Sequence, residues 1–299
     1  MFCGRAPFAR PGPTLANESL SSIASIATHG HSGMSESVLV TRSGSVATIA
    51  LSRPKVHNAF DDALIADLTR ALVDCEIDAG VRCVVLTGAG ASFSAGADLN
   101  WMRAMASASE ADNRDDALRL ATLMRTLNFL AKPTIARVNG AAYGGGVGLV
   151  ACCDIALGVD GAKFALSEVK LGLVPAVISP YVIAAVGARH ARRLFISGEV
   201  FDAATAARVG LLHEHVAADA LDAAVDRVVH FLGKGGPLAQ SAAKRLALRV
   251  AGVTREAAER IDADNAQLIA HLRASAEGQH GLAAFLDKTA PDWAKERSA

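Results

Sequence analysis

No apolar run in this sequence reaches the length of a bilayer span, so no transmembrane helix is expected and no membrane role follows. Net charge is missing too: 30 Lys and Arg residues balance 30 Asp and Glu residues. A balanced chain projects no overall field toward nucleic acid, so nucleic acid is not expected as a main partner. Cysteine is sparse. Cys3, Cys75, Cys83, Cys152 and Cys153 are odd in number, show no C-x-x-C spacing and include an adjacent pair. That pattern reads as unpaired thiols in a reducing compartment, hence a cytoplasmic protein, rather than a disulfide framework. The 9 histidines are scattered and none stands in H-E-x-x-H, which leaves no metal signature. Three further fingerprints fail. Phe93 occupies the place of the third glycine after Gly88-Ala89-Gly90, against a dinucleotide fold. No Gly-Lys-Ser/Thr follows a glycine loop, and Ser94 lacks a G-x-S-x-G frame. No repeat of 20–50 residues is evident.

What is present is a globular composition, 51% hydrophobic and 20% charged over 299 residues, enough for a large core or a core with an appendage. The first 37 residues stand apart. They are rich in Ser, Ala, Gly and Pro, carry Arg5 and Arg10, and have one acid before Met34. They lack the apolar segment of a secretory signal; the composition allows a transit peptide, but a disordered extension, or a true start at Met34, fits better.

Val38–Thr41 and Val46–Leu51 flank Ser43-Gly44-Ser45 and read as a β-hairpin. A loop over Lys55–Phe60 leads to a helix capped by Asp61 or Asp62, with Leu64, Leu68 and Leu72 on one face. Val81–Thr87 is a buried strand. A helix ending near Leu130 places Leu120, Leu123, Met124 and Leu127 together, and Pro133 separates it from a strand beginning at Thr134. Asp154–Gly158 is a further strand. The alternation argues an α/β core. Beyond Ile178 strands nearly vanish, apart from Leu212–Val216. Helices are expected over Asp219–Leu232, Pro237–Val250, Thr254–Ala274 and Glu277–Asp287. The expected organisation is an α/β core over 38–230 and a helical region over 231–299.

Two glycine-rich loops carry the chemistry: Ser92-Phe93-Ser94-Ala95-Gly96-Ala97-Asp98 and Asn139-Gly140-Ala141-Ala142-Tyr143-Gly144-Gly145-Gly146. Each follows an apolar, β-branched run and precedes a helical stretch. Glycine lets backbone approach a ligand closely and aim N–H groups at it. Two such loops together can supply two amide donors to one oxygen, the arrangement of an oxyanion hole. Tight turns alone would explain one loop, but explain two at equivalent junctions less well. Glu168, in an apolar segment, reads from its neighbours alone as a capping or surface glutamate. Trp101, Met102, Pro175, Val177 and Ile178 read equally as core or as the wall of a pocket. Arg189-His190-Ala191-Arg192-Arg193 reads as a solvated helix face.

These loops, together with Arg53–Ala59, Cys153-Asp154-Ile155, Phe164–Pro175 and Gly198–Leu211, resemble the crotonase (enoyl-CoA hydratase/isomerase) family in order and spacing over Val38 to Trp293. The resemblance implies a spiral of ββα units with C-terminal helices that build homotrimers or homohexamers. It implies an acyl-CoA substrate and no cofactor beyond the CoA it carries. By the same resemblance, the amides of Ala97 and Gly145 hold the thioester oxygen and Glu168 moves the proton at the α-carbon. Lys55, Ala95, Asp98, Trp101, Gly144, Gly148, Pro175, Phe285 and Lys288 lie against the substrate, with the Ala95 carbonyl on the adenine amine.

One position departs from the pattern. Gly148 stands where typical hydratases carry a second glutamate, so a two-carboxylate mechanism does not carry over intact. Ala97–Met102 and Ser167–Ile183 resemble a bacterial branch of methylglutaconyl-CoA and related branched enoyl-CoA hydratases. The expected activity is therefore hydration of a branched enoyl-CoA. The alternatives are a Δ3,Δ2-enoyl-CoA isomerase using one glutamate, and a non-catalytic CoA- or RNA-binding relative.

Overall fold

The computed structural model describes residues 37–295. The expected extension over 1–37 therefore lies, up to residue 36, outside the described residues, as does Cys3. Strands β1 (Val38–Ser43) and β2 (Val46–Leu51) pair antiparallel from Val38 opposite Leu51 to Ser43 opposite Val46. Gly44 makes the turn at φ 57°, a left-handed conformation that glycine adopts without steric cost. On β2, Ala47, Ile49 and Leu51 point into the core at every second position.

Helix α1 (Asp62–Ile77) begins where Asp61 accepts a hydrogen bond from the Leu64 amide at 2.9 Å. It buries Leu64, Ile65, Leu68 and Leu72. Strand β3 (Cys83–Gly88) is buried along its whole length, as a central parallel strand requires. With β5 (Thr134–Val138), β7 (Ile155–Val159) and β10 (Glu214–Val216) it completes a six-stranded sheet in the order β1-β2-β3-β5-β7-β10. Every pair but β1–β2 is parallel.

The amino-acid pattern does not reveal a second sheet. It is built from four strands of three residues each: β4 (Ser92–Ser94), β6 (Ala141–Tyr143), β8 (Lys163–Ala165) and β9 (Val200–Asp202), in that order. The first three run parallel and β9 antiparallel. Each glycine loop therefore contains its own strand, instead of passing directly from strand to helix. The chain leaves β3, β5 and β7 of the large sheet and enters β4, β6 and β8 of the small one in turn. Helices α2 (Leu99–Ala106) and α3 (Glu110–Asn128), then α4 (Gly145–Cys152), then α5 (Ser179–Ser197) follow the three small strands. This recurring ββα unit is the one that the resemblance implies. The repeat is one of topology, which is why no repeat of residues announces it.

Helix α5 is two helices meeting at Gly187, where φ is 76°. The strongly basic stretch Arg189–Arg193 lies on its second half, with Arg189, His190, Arg192 and Arg193 exposed. Helices α6 (Ala203–Val209) and α7 (Leu221–Gly233) flank β10, and α8 (Pro237–Val250), α9 (Arg255–Ala274) and α10 (Ala276–Leu286) follow. Helix α9 lies along α3, and α10 packs on the short 3-10 turn Glu168–Leu171. Cys75, Cys83, Cys152 and Cys153 are buried free thiols. No helix among the described residues is long and apolar enough to cross a membrane.

Candidate active site

The carboxyl ends of β4, β6 and β8 lie side by side because those strands are parallel neighbours. Ala97 follows β4, Gly144-Gly145 follow β6, and Glu168 follows β8. All four residues line one cavity of about 140 Å³.

The loops after β4 and β6 touch. A Cβ added to Gly96 (φ 84°) would lie 2.9 Å from the Tyr143 carbonyl oxygen and 3.8 Å from the Gly144 Cα. Gly144 adopts φ 49°, ψ −117° and opens α4, so the Gly145 amide begins that helix without an intrahelical acceptor. Neither the Ala97 N–H nor the Gly145 N–H donates to any acceptor among the described residues. Two free amides from adjacent loops thus border the cavity, and the α4 dipole adds positive potential at one of them. Gly145 must be glycine, because a side chain there would run into the Phe60 ring.

The loop before α1 holds this arrangement in place. Asn58 is fully buried, and its Nδ2 donates to the carbonyls of Ala89 (2.9 Å) and Ser92 (2.8 Å). The Phe60 amide donates to the Gly96 carbonyl at 2.6 Å, and the Asp98 amide donates to the Phe60 carbonyl at 2.8 Å. Arg53–Ala59 is therefore a staple on the first glycine loop.

Glu168 starts the 3-10 turn, which closes at Gly172 (φ 67°). Its Oε2 is buried and has no hydrogen-bond partner among the described residues. Oε1 lies 3.1 Å from where a Gly144 Cβ would be, so Gly144 makes room for the carboxyl. Burial pushes the Glu168 carboxyl up to about 7, opposed by its own backbone N–H. A carboxyl at that value exchanges protons near neutral pH.

Trp101 and Pro175 line the same cavity, as do Met102, Val177 and Ile178. The other residues expected against a substrate lie elsewhere. Lys55 is exposed on the 3-10 turn Pro54–Val56. Ala95 lies within the first loop, directly after β4, and its carbonyl accepts no hydrogen bond among the described residues. Asp98 is committed to the fold: its carboxylate caps α2 at the Asn100 and Trp101 amides and pairs with Arg53 at 3.0 Å. Gly148 is buried within α4, where an added Cβ would meet Ile178 and Met124, leaving no room for a second carboxylate. Phe285 and Lys288 are exposed at and beyond the end of α10 and do not reach the cavity of their own chain.

The structure also adds wall residues that sequence reasoning missed. Phe60, Leu120 of α3, Ile269 and Arg273 of α9, and Leu282 of α10 line the cavity. Glu168 and Arg273 are its only ionisable lining residues among those described. A helical pattern reveals which residues share a face, but not that α9 packs along α3 and α10 on the turn that begins at Glu168.

Residues 41–296 match the profile of the family described as enoyl-CoA hydratase/isomerase. The chain is 33% identical over 261 residues to 2,3-dehydroadipyl-CoA hydratase of Escherichia coli, covering 87% of this chain and 99% of that one. The crystal structure of an enoyl-CoA hydratase from Shewanella pealeana matches with TM-score 0.71 and 41% identity, over 86% of this chain and 96% of that chain. An enoyl-CoA hydratase from Mycobacterium avium matches with TM-score 0.77 and 34% identity, over 87% and 100%.

Proposed function

The chain belongs to the enoyl-CoA hydratase/isomerase family, and we propose that it adds water across the α,β double bond of a short, branched enoyl-CoA such as methylglutaconyl-CoA. The observation that carries this reading is the meeting of two free amides, Ala97 and Gly145, with the carboxyl of Glu168, whose Oε2 has no partner among the described residues, at one cavity.

The thioester oxygen accepts from both amides. Negative charge grows on it as an enolate forms, so fixed donors stabilise the transition state more than the substrate; losing one costs about 2.7–4 kcal/mol in comparable sites. Glu168 starts protonated. Water bonds to the β-carbon and the π electrons move onto the thioester oxygen. As that enolate collapses, one carboxyl oxygen of Glu168 gives its proton to the α-carbon while the other takes the proton that water loses. One glutamate thus closes the cycle, with Gly148 and Ile178 where a second acid would stand. The free Ala95 carbonyl supports contact with the adenine amine, and exposed Lys55 supports contact with CoA phosphate. No cofactor is needed. The cavity, well below the roughly 300–1,000 Å³ of drug-sized sites, supports an acyl group of a few carbons. Exposed Ile196, Phe231, Leu238 and Val250 support assembly into trimers or hexamers.

The missing second carboxylate also favours a second reading, Δ3,Δ2-isomerisation, in which Glu168 must start ionised. Incubation with 2-enoyl and 3-enoyl thioesters, followed by mass spectrometry, separates the two. Hydration gives a gain of one water, with kcat/KM falling as pH rises through about 7. Isomerisation gives no mass change, with kcat/KM rising through the same pH. Glu168→Gln is expected to lower kcat by at least about 10²-fold in either case while leaving CoA affinity nearly intact. Full activity in that variant would overturn the assignment.

A further inference from the structure

An arginine on an otherwise apolar wall calls for a reason, since burying its charge is costly unless it is paired. The Arg273 side chain is 14% exposed. Its Nη1 donates to Asp116 Oδ2 and to Asn113 Oδ1, each at 3.2 Å. Asp116 is 1% exposed and is shared with Arg119, which approaches its other oxygen at 3.2 Å. The guanidinium lies over the Trp101 ring, 5.3 Å from the centroid. Three groups therefore fix Arg273, and all its hydrogen bonds run through one nitrogen. Nε and Nη2 make no hydrogen bond among the described residues, and neither is sealed away from solvent. That pair of parallel N–H donors is the edge of a guanidinium that grips a carboxylate with two bonds. Arg273 forms no ion pair with Glu168 among the described residues, so the reacting carboxyl and this cation act independently.

We propose that Arg273 is a specificity-determining residue that binds a carboxylate at the far end of the acyl chain, so that the preferred substrate is the thioester of a short unsaturated dicarboxylic acid. The inference rests on reading the cavity as the acyl pocket. Asp116 and Asn113 hold the guanidinium from behind and Trp101 sets its plane. A neutral acyl chain of equal length leaves the free edge without an acceptor and gains nothing from it.

Binding of saturated, unreactive thioesters tests this apart from turnover. Isothermal titration with glutaryl-CoA and the length-matched neutral valeryl-CoA is expected to favour glutaryl-CoA by about 30–100-fold, the worth of hydrogen bonds between charged groups. Arg273→Met is expected to bring that ratio close to one with valeryl-CoA affinity changed by less than about threefold, and Arg273→Lys to keep part of it. A merely structural role would weaken both ligands together and leave the ratio unchanged. Equal binding of the two ligands to the wild type, or an unchanged ratio in Arg273→Met, overturns the inference even where hydration holds. A preference for glutaryl-CoA that Arg273→Met removes, with no turnover of any enoyl thioester, sustains it while sinking the hydratase reading.

Discussion

Glu168 shows how far one residue's surroundings set its chemistry. The same carboxyl in water would be ionised at neutral pH; with Oε2 shut away it holds its proton up to about 7. Stability follows from the same shift. Between about pH 4.5 and 7 the folded protein keeps a proton at Glu168 that the unfolded chain has lost, so stability falls as pH rises through that window. Glu168→Gln removes the penalty. In urea unfolding it is expected to be more stable than the wild type by about 3 kcal/mol at pH 8 and by under about 1 kcal/mol at pH 5. An equal difference at both values would show that the buried charge is not the cause. The identity of this residue could be reached from its sequence context only through resemblance. Leu166 and Val169 suggest burial, but a turn glutamate in an apolar stretch is common. Arg273 could not be reached at all, because what distinguishes it is the cavity it borders.

At the scale of elements, helix α4 decides what kind of acid–base chemistry is available. It is eight residues long and six of them are buried. Gly148 packs into Ile178 and Met124. Gly148→Glu is expected to cost about 3 kcal/mol or more, from overpacking and a buried unpaired acid, and to bring no gain in hydration rate; thermal unfolding and a crotonyl-CoA assay check both. The long elements were legible because several signals agree. Helix α8 starts at Pro237, with proline tolerated at a first helical position, and stops before Gly252, which takes φ 77°. Asp61 was one of two candidate caps, and the bond to Leu64 decides between them. None of the four strands of the small sheet was legible. Three residues carry no periodicity, and Lys163–Ala165 becomes a strand because β6 and β9 stand on either side of it.

For the whole molecule, the two sheets and their helices bury Cys75, Cys83, Cys152 and Cys153 among apolar neighbours, and burial raises each thiol's pKa. Thiolate is the reactive form. In a Cys3→Ser protein, a thiol-specific chromogenic reagent is therefore expected to label none of the four within minutes in buffer and all four above the unfolding midpoint in guanidinium. Rapid labelling of one in buffer would reveal a local opening. The order of the chain adds a temporal consequence. Ile269, Arg273 and Leu282, which complete the wall around the site, are translated about a hundred residues after Glu168. A ribosome must release the chain through Leu282 before the pocket can close, so a chain stalled short of that point would display the reacting loops and remain inert.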